Sequence, residues 1–72
     1  MKWEEVRKLY PNQYVKLNIL DFHVVEDNKI VTDVALLNVI DSPQTATKEL
    51  LRAKGNTIVY HTGNDRIMIE IR

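Results

Sequence analysis

The stretch Asn56-Thr57-Ile58-Val59-Tyr60-His61-Thr62-Gly63-Asn64-Asp65-Arg66-Ile67-Met68-Ile69-Glu70-Ile71-Arg72 decides the fold. Ile67, Ile69 and Ile71 alternate with Arg66, Met68, Glu70 and Arg72, the period-2 pattern of a strand with one buried face. Gly63-Asn64 lies between this run and the β-rich run before it, and glycine at the first central position suits a two-residue type II′ hairpin. Such a turn predicts Tyr60 opposite Ile67 and Ile58 opposite Ile69 on one face. On the other face it predicts Val59 opposite Met68 and His61 opposite Arg66.

Working outward, 72 residues make a single small α+β domain, residues 1–72. A chain of this size buries only about 60% of its unfolded surface, so its stability is modest. It has no cysteine, so neither disulfides nor thiolate-bound metal can supplement the core. Apolar residues at 44% and charged residues at 28% are ordinary for a folded domain. Ten basic and ten acidic side chains cancel, which argues against a protein built to grip nucleic acid. No apolar run approaches the roughly 18 residues of a membrane span, and no signal-peptide pattern opens the chain. The expectation is a cytoplasmic protein without a membrane partner.

Trp3, Val6, Leu9 and Tyr10 recur at helical spacing. Acids precede bases between them, which matches the helix dipole, and Pro11 ends the helix at Tyr10. Trp3 is the expected anchor. In the strand-like run from Tyr14 to Val25, Val15, Leu17 and Ile19 share one parity while Leu20, Phe22 and Val24 share the other. That phase change predicts a β-bulge near Leu20-Asp21. Glu26-Asp27-Asn28-Lys29 reads as a tight turn, with Asp27-Asn28 as its central pair. The run Ile30 to Ile40 is apolar enough for a central strand. Ser42 and Pro43 open a second helix as N-cap and first helical residue. Its stripe is Ala46, Leu50 and Ala53, widened by Leu51, and Gly55 is its C-terminal cap. The expected order is therefore α-β-β-α-β-β, a four-stranded, mainly antiparallel sheet with both helices packed on one face.

No catalytic constellation emerges. His23 and His61 lack zinc-site spacing, Tyr60 and His61 point to opposite faces, and Ser42 is occupied by capping. Gly55 and Gly63 are both assigned to turns, so no phosphate loop exists. The acids around the first hairpin have no metal-loop spacing, with Asp21 and Asp33 diagonal neighbours across the strands. The bases Lys48, Arg52 and Lys54 read first as a solvated helix face. More suggestive is the sheet face left uncovered by the helices, where Val59, His61, Arg66 and Met68 would lie together. With the bulge at Leu20-Asp21, Val15, Leu17 or Ile19 would join them. An apolar patch beyond a few hundred Å² marks an interaction surface.

The motif Trp3-Glu4-Glu5-Val6, then Tyr10-Pro11-Asn12-Gln13-Tyr14-Val15, with Glu49-Leu50-Leu51-Arg52 and Val59-Tyr60-His61-Thr62-Gly63-Asn64, resembles a group of small, uncharacterised bacterial proteins. The resemblance implies a bacterial cytosolic source and a stand-alone α+β domain, and it transfers no activity. Relatives of that kind often run somewhat past the point at which this chain stops, so Arg72 is either a natural end or a boundary within a longer protein. The expected function is a non-enzymatic interaction module with no catalytic residue, cofactor or metal. It would bind itself as a homo-oligomer or another protein through the exposed sheet face carrying Val59, His61, Arg66 and Met68, or through the edge of the last hairpin. The alternatives are a small ligand-binding or enzyme-like domain using His61 and Arg66, and weak nucleic-acid binding through the second helix.

Overall fold

A long antiparallel hairpin, β1 (Tyr14–Val25) paired with β2 (Asn28–Ile40), carries every other element; the computed structural model describes residues 1–71. The hairpin is not a flat ribbon. Ile19 lies opposite Val34, Asp21 opposite Asp33 and Phe22 opposite Val31, so Leu20 and Thr32 are extra residues that bend the strands. A further register shift leaves Leu37 extra between the Lys16–Asn38 and Leu17–Leu36 pairs. The bulge expected at Leu20-Asp21 is present, and it divides the hairpin into a base (residues 14–19 with 34–40) and a tip (residues 20–25 with 28–31). The turn at the tip is Glu26-Asp27, one residue earlier than expected, since Val25 lies opposite Asn28. Glu26 takes a left-handed φ of 57° there. With that register Asp21 and Asp33 are directly opposite rather than diagonal.

The other two strands extend opposite sides of this hairpin. β3 (Thr57–His61) pairs with β1 along residues 14–18, and β4 (Ile67–Glu70) pairs with β2 along residues 28–31. The sheet order is β3-β1-β2-β4, so the expected terminal hairpin does not form. Tyr60 faces Val15, Ile58 faces Leu17, Ile67 faces Val31 and Ile69 faces Lys29. The local turn preference loses because a β3–β4 pair would leave both long strands with bare backbone along their outer sides. Splitting the two short strands gives each a partner inside the hairpin. Gly63 does not adopt the positive φ that a type II′ turn requires. The Asn64 N–H instead donates to the His61 carbonyl at 3.2 Å.

Residues 62–66 must therefore cross from one edge of the sheet to the other, and α1 (Trp3–Leu9) holds them as they pass. Trp3 Nε1 donates to the Asn64 carbonyl at 2.9 Å, and Arg7 Nε donates to the Thr62 carbonyl at 2.8 Å. The buried Thr62 hydroxyl donates to the Tyr10 carbonyl at 2.7 Å and accepts from the Gln13 N–H at 2.9 Å. Trp3 also meets Tyr60 edge-on, with ring centroids 5.8 Å apart. Trp3 is the anchor that the sequence suggests.

The α+β class and the element order stand as expected, but the helices lie on opposite faces of the sheet. Trp3 and Val6 of α1 join Val15, Leu17, Ile19, Val31, Val34 and Ile67 in the main core. Ala46 of α2 (Pro43–Arg52) instead joins Ile40 and Val59 in a second, smaller cluster. Lys16 alternates with Val15 and Leu17 along β1, and its Nζ reaches Glu49 of α2 at 2.9 Å on that second face. The physical reason is the narrowness of the α2 stripe. Ala46 is its only buried residue, while Leu50 and Leu51 are exposed, so α2 suits a small cluster rather than the main core. The cap at Ser42 forms as expected, its Oγ accepting from the Thr45 N–H at 3.2 Å. Gly55 is not the helix cap: the helix closes at Ala53, and Gly55, at φ 62°, serves the following turn, in which the Thr57 N–H donates to the Lys54 carbonyl.

Candidate interaction surface

The four residues expected to share an exposed face are dispersed, and Val15, Leu17 and Ile19, expected beside them, lie in the main core under α1. Val59 is buried beneath α2 with Ile40 and Ala46. His61 ends β3, its ring edge-on to Tyr14 at 4.7 Å and its Nδ1 accepting from the Gly63 N–H at 3.0 Å. Met68 is exposed on β4, opposite Ile30. Two strands separate it from Val59, so that pair does not exist. Arg66 is exposed at the far end of the crossing loop. His61 and Arg66 line different depressions. The first, of about 430 Å³, includes Tyr14, Asp41, Ser42 and His61. The second, of about 440 Å³, includes Lys2, Trp3, Asp65 and Arg66.

The titratable groups with altered affinity for protons have structural partners. The hydrogen bond from the Met1 amine, 3.0 Å away, is the main cause holding the Asp33 carboxyl below its ordinary range. The charges of that amine and of Lys2 and the Val34 N–H act in the same direction. These partners also explain how Asp33 tolerates Asp21 directly across the strands, where like charges repel. Glu49 is lowered chiefly by its hydrogen bond from Lys16. Among the described residues no three His, Asp or Glu side chains converge as a metal site, and no helix is long and apolar enough to cross a membrane.

The surface that sequence reasoning missed is the tip of the hairpin. Leu20, Phe22, Val24 and Val25 are 60%, 43%, 53% and 49% exposed. They stand on an edge of β1 that β3 does not reach, because β3 pairs only as far as Asn18. The last bond along that edge runs from the Ile19 N–H to the Asn56 carbonyl at 2.7 Å. Beyond it, among the described residues, no strand lies against the outer side of β1. The remaining outer edges are less suited to pairing. β3 and β4 are five and four residues long. β2 is bridged by Lys2 at Asp33 and broken by the Leu37 bulge beyond. One signal in the sequence pointed to the tip, the switch of apolar parity after Ile19; the third strand, five residues beside a first strand of 12, leaves it uncovered in the structure. Comparisons with protein-family models, with curated proteins and with solved structures gave no match, so the functional reading rests on this geometry.

Proposed function

We propose that the chain is a non-enzymatic protein-interaction module that takes an extended protein segment onto the outer edge of β1 at the hairpin tip. The observation that carries this reading is an apolar strand whose edge is unpaired: Leu20, Phe22 and Val24 are exposed where β3 has already ended. Natural sheets blunt such edges with charged side chains, proline, bulges or a covering loop. Residues 20–25 contain neither lysine nor proline, and the blunting here is confined to the Leu20 bulge and the Asp21 carboxylate that accepts from the Phe22 N–H. An added strand gains main-chain hydrogen bonds from the edge and specificity from alternate side chains. The separation of His61 from Arg66 disfavours a ligand-binding site built from both.

The test is titration with a six-residue peptide of alternating valine and threonine, followed by amide chemical shifts. The expected result is shifts confined to residues 20–25 and their absence in a Val24→Pro variant, because proline removes an edge donor that the fold itself does not use. Shifts centred on His61 and Tyr14, or binding that Val24→Pro leaves intact, would overturn the reading.

A further inference from the structure

We propose that the segment accepted by this edge is the same edge of a second copy, the two β1 strands pairing antiparallel about a two-fold axis at His23. This rests on the edge-binding reading and adds the identity of the partner. Val25 and Asn28 flank a two-residue turn, the position at which such a hairpin exchanges its backbone hydrogen bonds. By alternation, His23 and Val25 direct their backbone groups toward β2, whereas Phe22 and Val24 direct theirs outward. The outward Phe22 N–H is held by its own neighbour, Asp21 Oδ1, at 2.9 Å. A side chain thus occupies the place of a missing strand.

Register follows from what already lies beside β1. Pairing centred on Phe22 would drive Glu26 of one copy onto Asn18 of the other, where Thr57 is already paired. Pairing centred on Val24 would set Phe22 against Glu26. Pairing centred on His23 sets each Phe22 against a Val24, so both outward residues of both copies bond once the Phe22 N–H exchanges Asp21 Oδ1 for the Val24 carbonyl of the second copy. An aromatic residue facing a β-branched one is a favourable cross-strand pair. The Lys29 ammonium, 4.3 Å from the Phe22 ring centroid, flanks that pair. In this register each strand ends where β3 of the other copy begins. The acidic turn Glu26-Asp27 then meets the turn bearing Lys54, whose carbonyl accepts from the Thr57 N–H. The segment bearing Lys54 lies at each end of the pairing, where the Glu26-Asp27 turn of the other copy adds two acids beside Asp21, and the two-fold repeats the arrangement. Such a short overlap makes a weak dimer.

Because His23 faces its own copy, charge at this position distinguishes self-pairing from any other use of the edge. Sedimentation equilibrium over a concentration series is the measurement. The parent chain should dimerise, and His23→Glu and His23→Lys should each weaken dimerisation by at least about fivefold, since like charges then meet on the axis. An equimolar mixture of the two should recover the parent affinity. Asp21→Ala, which frees the Phe22 N–H, should strengthen it. Single variants that dimerise as the parent does, or a mixture that recovers nothing, would overturn the proposal. A parent chain that stays monomeric but binds the valine–threonine peptide would overturn self-pairing alone. A monomer that binds neither would overturn the edge reading as well.

Discussion

The base and the tip of the β1–β2 hairpin are written in the same alternating apolar code, yet one is a core and the other a surface. In the base, Val15, Leu17 and Val34 are fully buried, flanked by β3 and covered by α1 on the main core face. In the tip, Phe22 and Val24 alternate as regularly but stand half in water. What separates them is the reach of neighbouring elements: five residues of β3 cover the start of a 12-residue strand and stop. Alternation therefore reports which side chains share a face, and the lengths of the other strands decide whether that face is dry.

The comparison can be broken most forcefully by truncating one side chain in each half. Leu17→Ala should lower stability by about 2–5 kcal/mol, as for a fully buried leucine. Val24→Ala should lower it by about 1 kcal/mol or less, as for an exposed site. Denaturant unfolding checks both, and equal losses would mean that the tip is packed as tightly as the base. An intermediate effect is expected at the strap that crosses between the sheet edges. Thr62→Val leaves the Tyr10 carbonyl and the Gln13 N–H without their partner, which should cost about 1–3 kcal/mol in the same measurement.

The smallest effect sharpens the comparison through pH. Asp33 and Glu49 both have folded-state affinities for protons below those of the unfolded chain. Their contribution is therefore fully present above the unfolded values, 3.8 and 4.5. It is lost as pH falls below them through the lowered folded values. Thermal midpoints measured from neutral pH into acid should fall less steeply in the Asp33→Asn, Glu49→Gln double variant than in the parent. Both carboxylates are accessible to water, so the difference should be slight.

Much of this architecture was legible in the chain. The isoleucine alternation placed Ile67 and Ile69 on the core side together with Ile58 and Tyr60, and all four do pack there. The parity switch after Ile19 located the bulge, and Ser42-Pro43 located the start of α2. The pairing of β3 with β4 was misread because Gly63-Asn64 is a local signal. Strand order is settled by long-range bonds that no local pattern displays, such as those from Trp3 and Arg7 to the crossing loop. For the same reason Val59 and Met68, adjacent in an imagined hairpin, occupy opposite edges of the real sheet, and the surface built on them dissolved. The side taken by α2 was hidden as well, because a stripe of two alanines and two leucines does not show that both leucines stay wet.

The strap over α1 carries one more consequence. Its bonds join residues 61, 55, 52 and 49 positions apart, so the first helix can settle on the β1–β2 hairpin well before the strap closes over it. Trp3 gains its edge-on contact with Tyr60 and its bond to the Asn64 carbonyl only when that distant stretch folds back over the helix. Contacts of such long range slow the search for the native state. The interval in which greasy side chains stand uncovered is thus written into the connectivity itself.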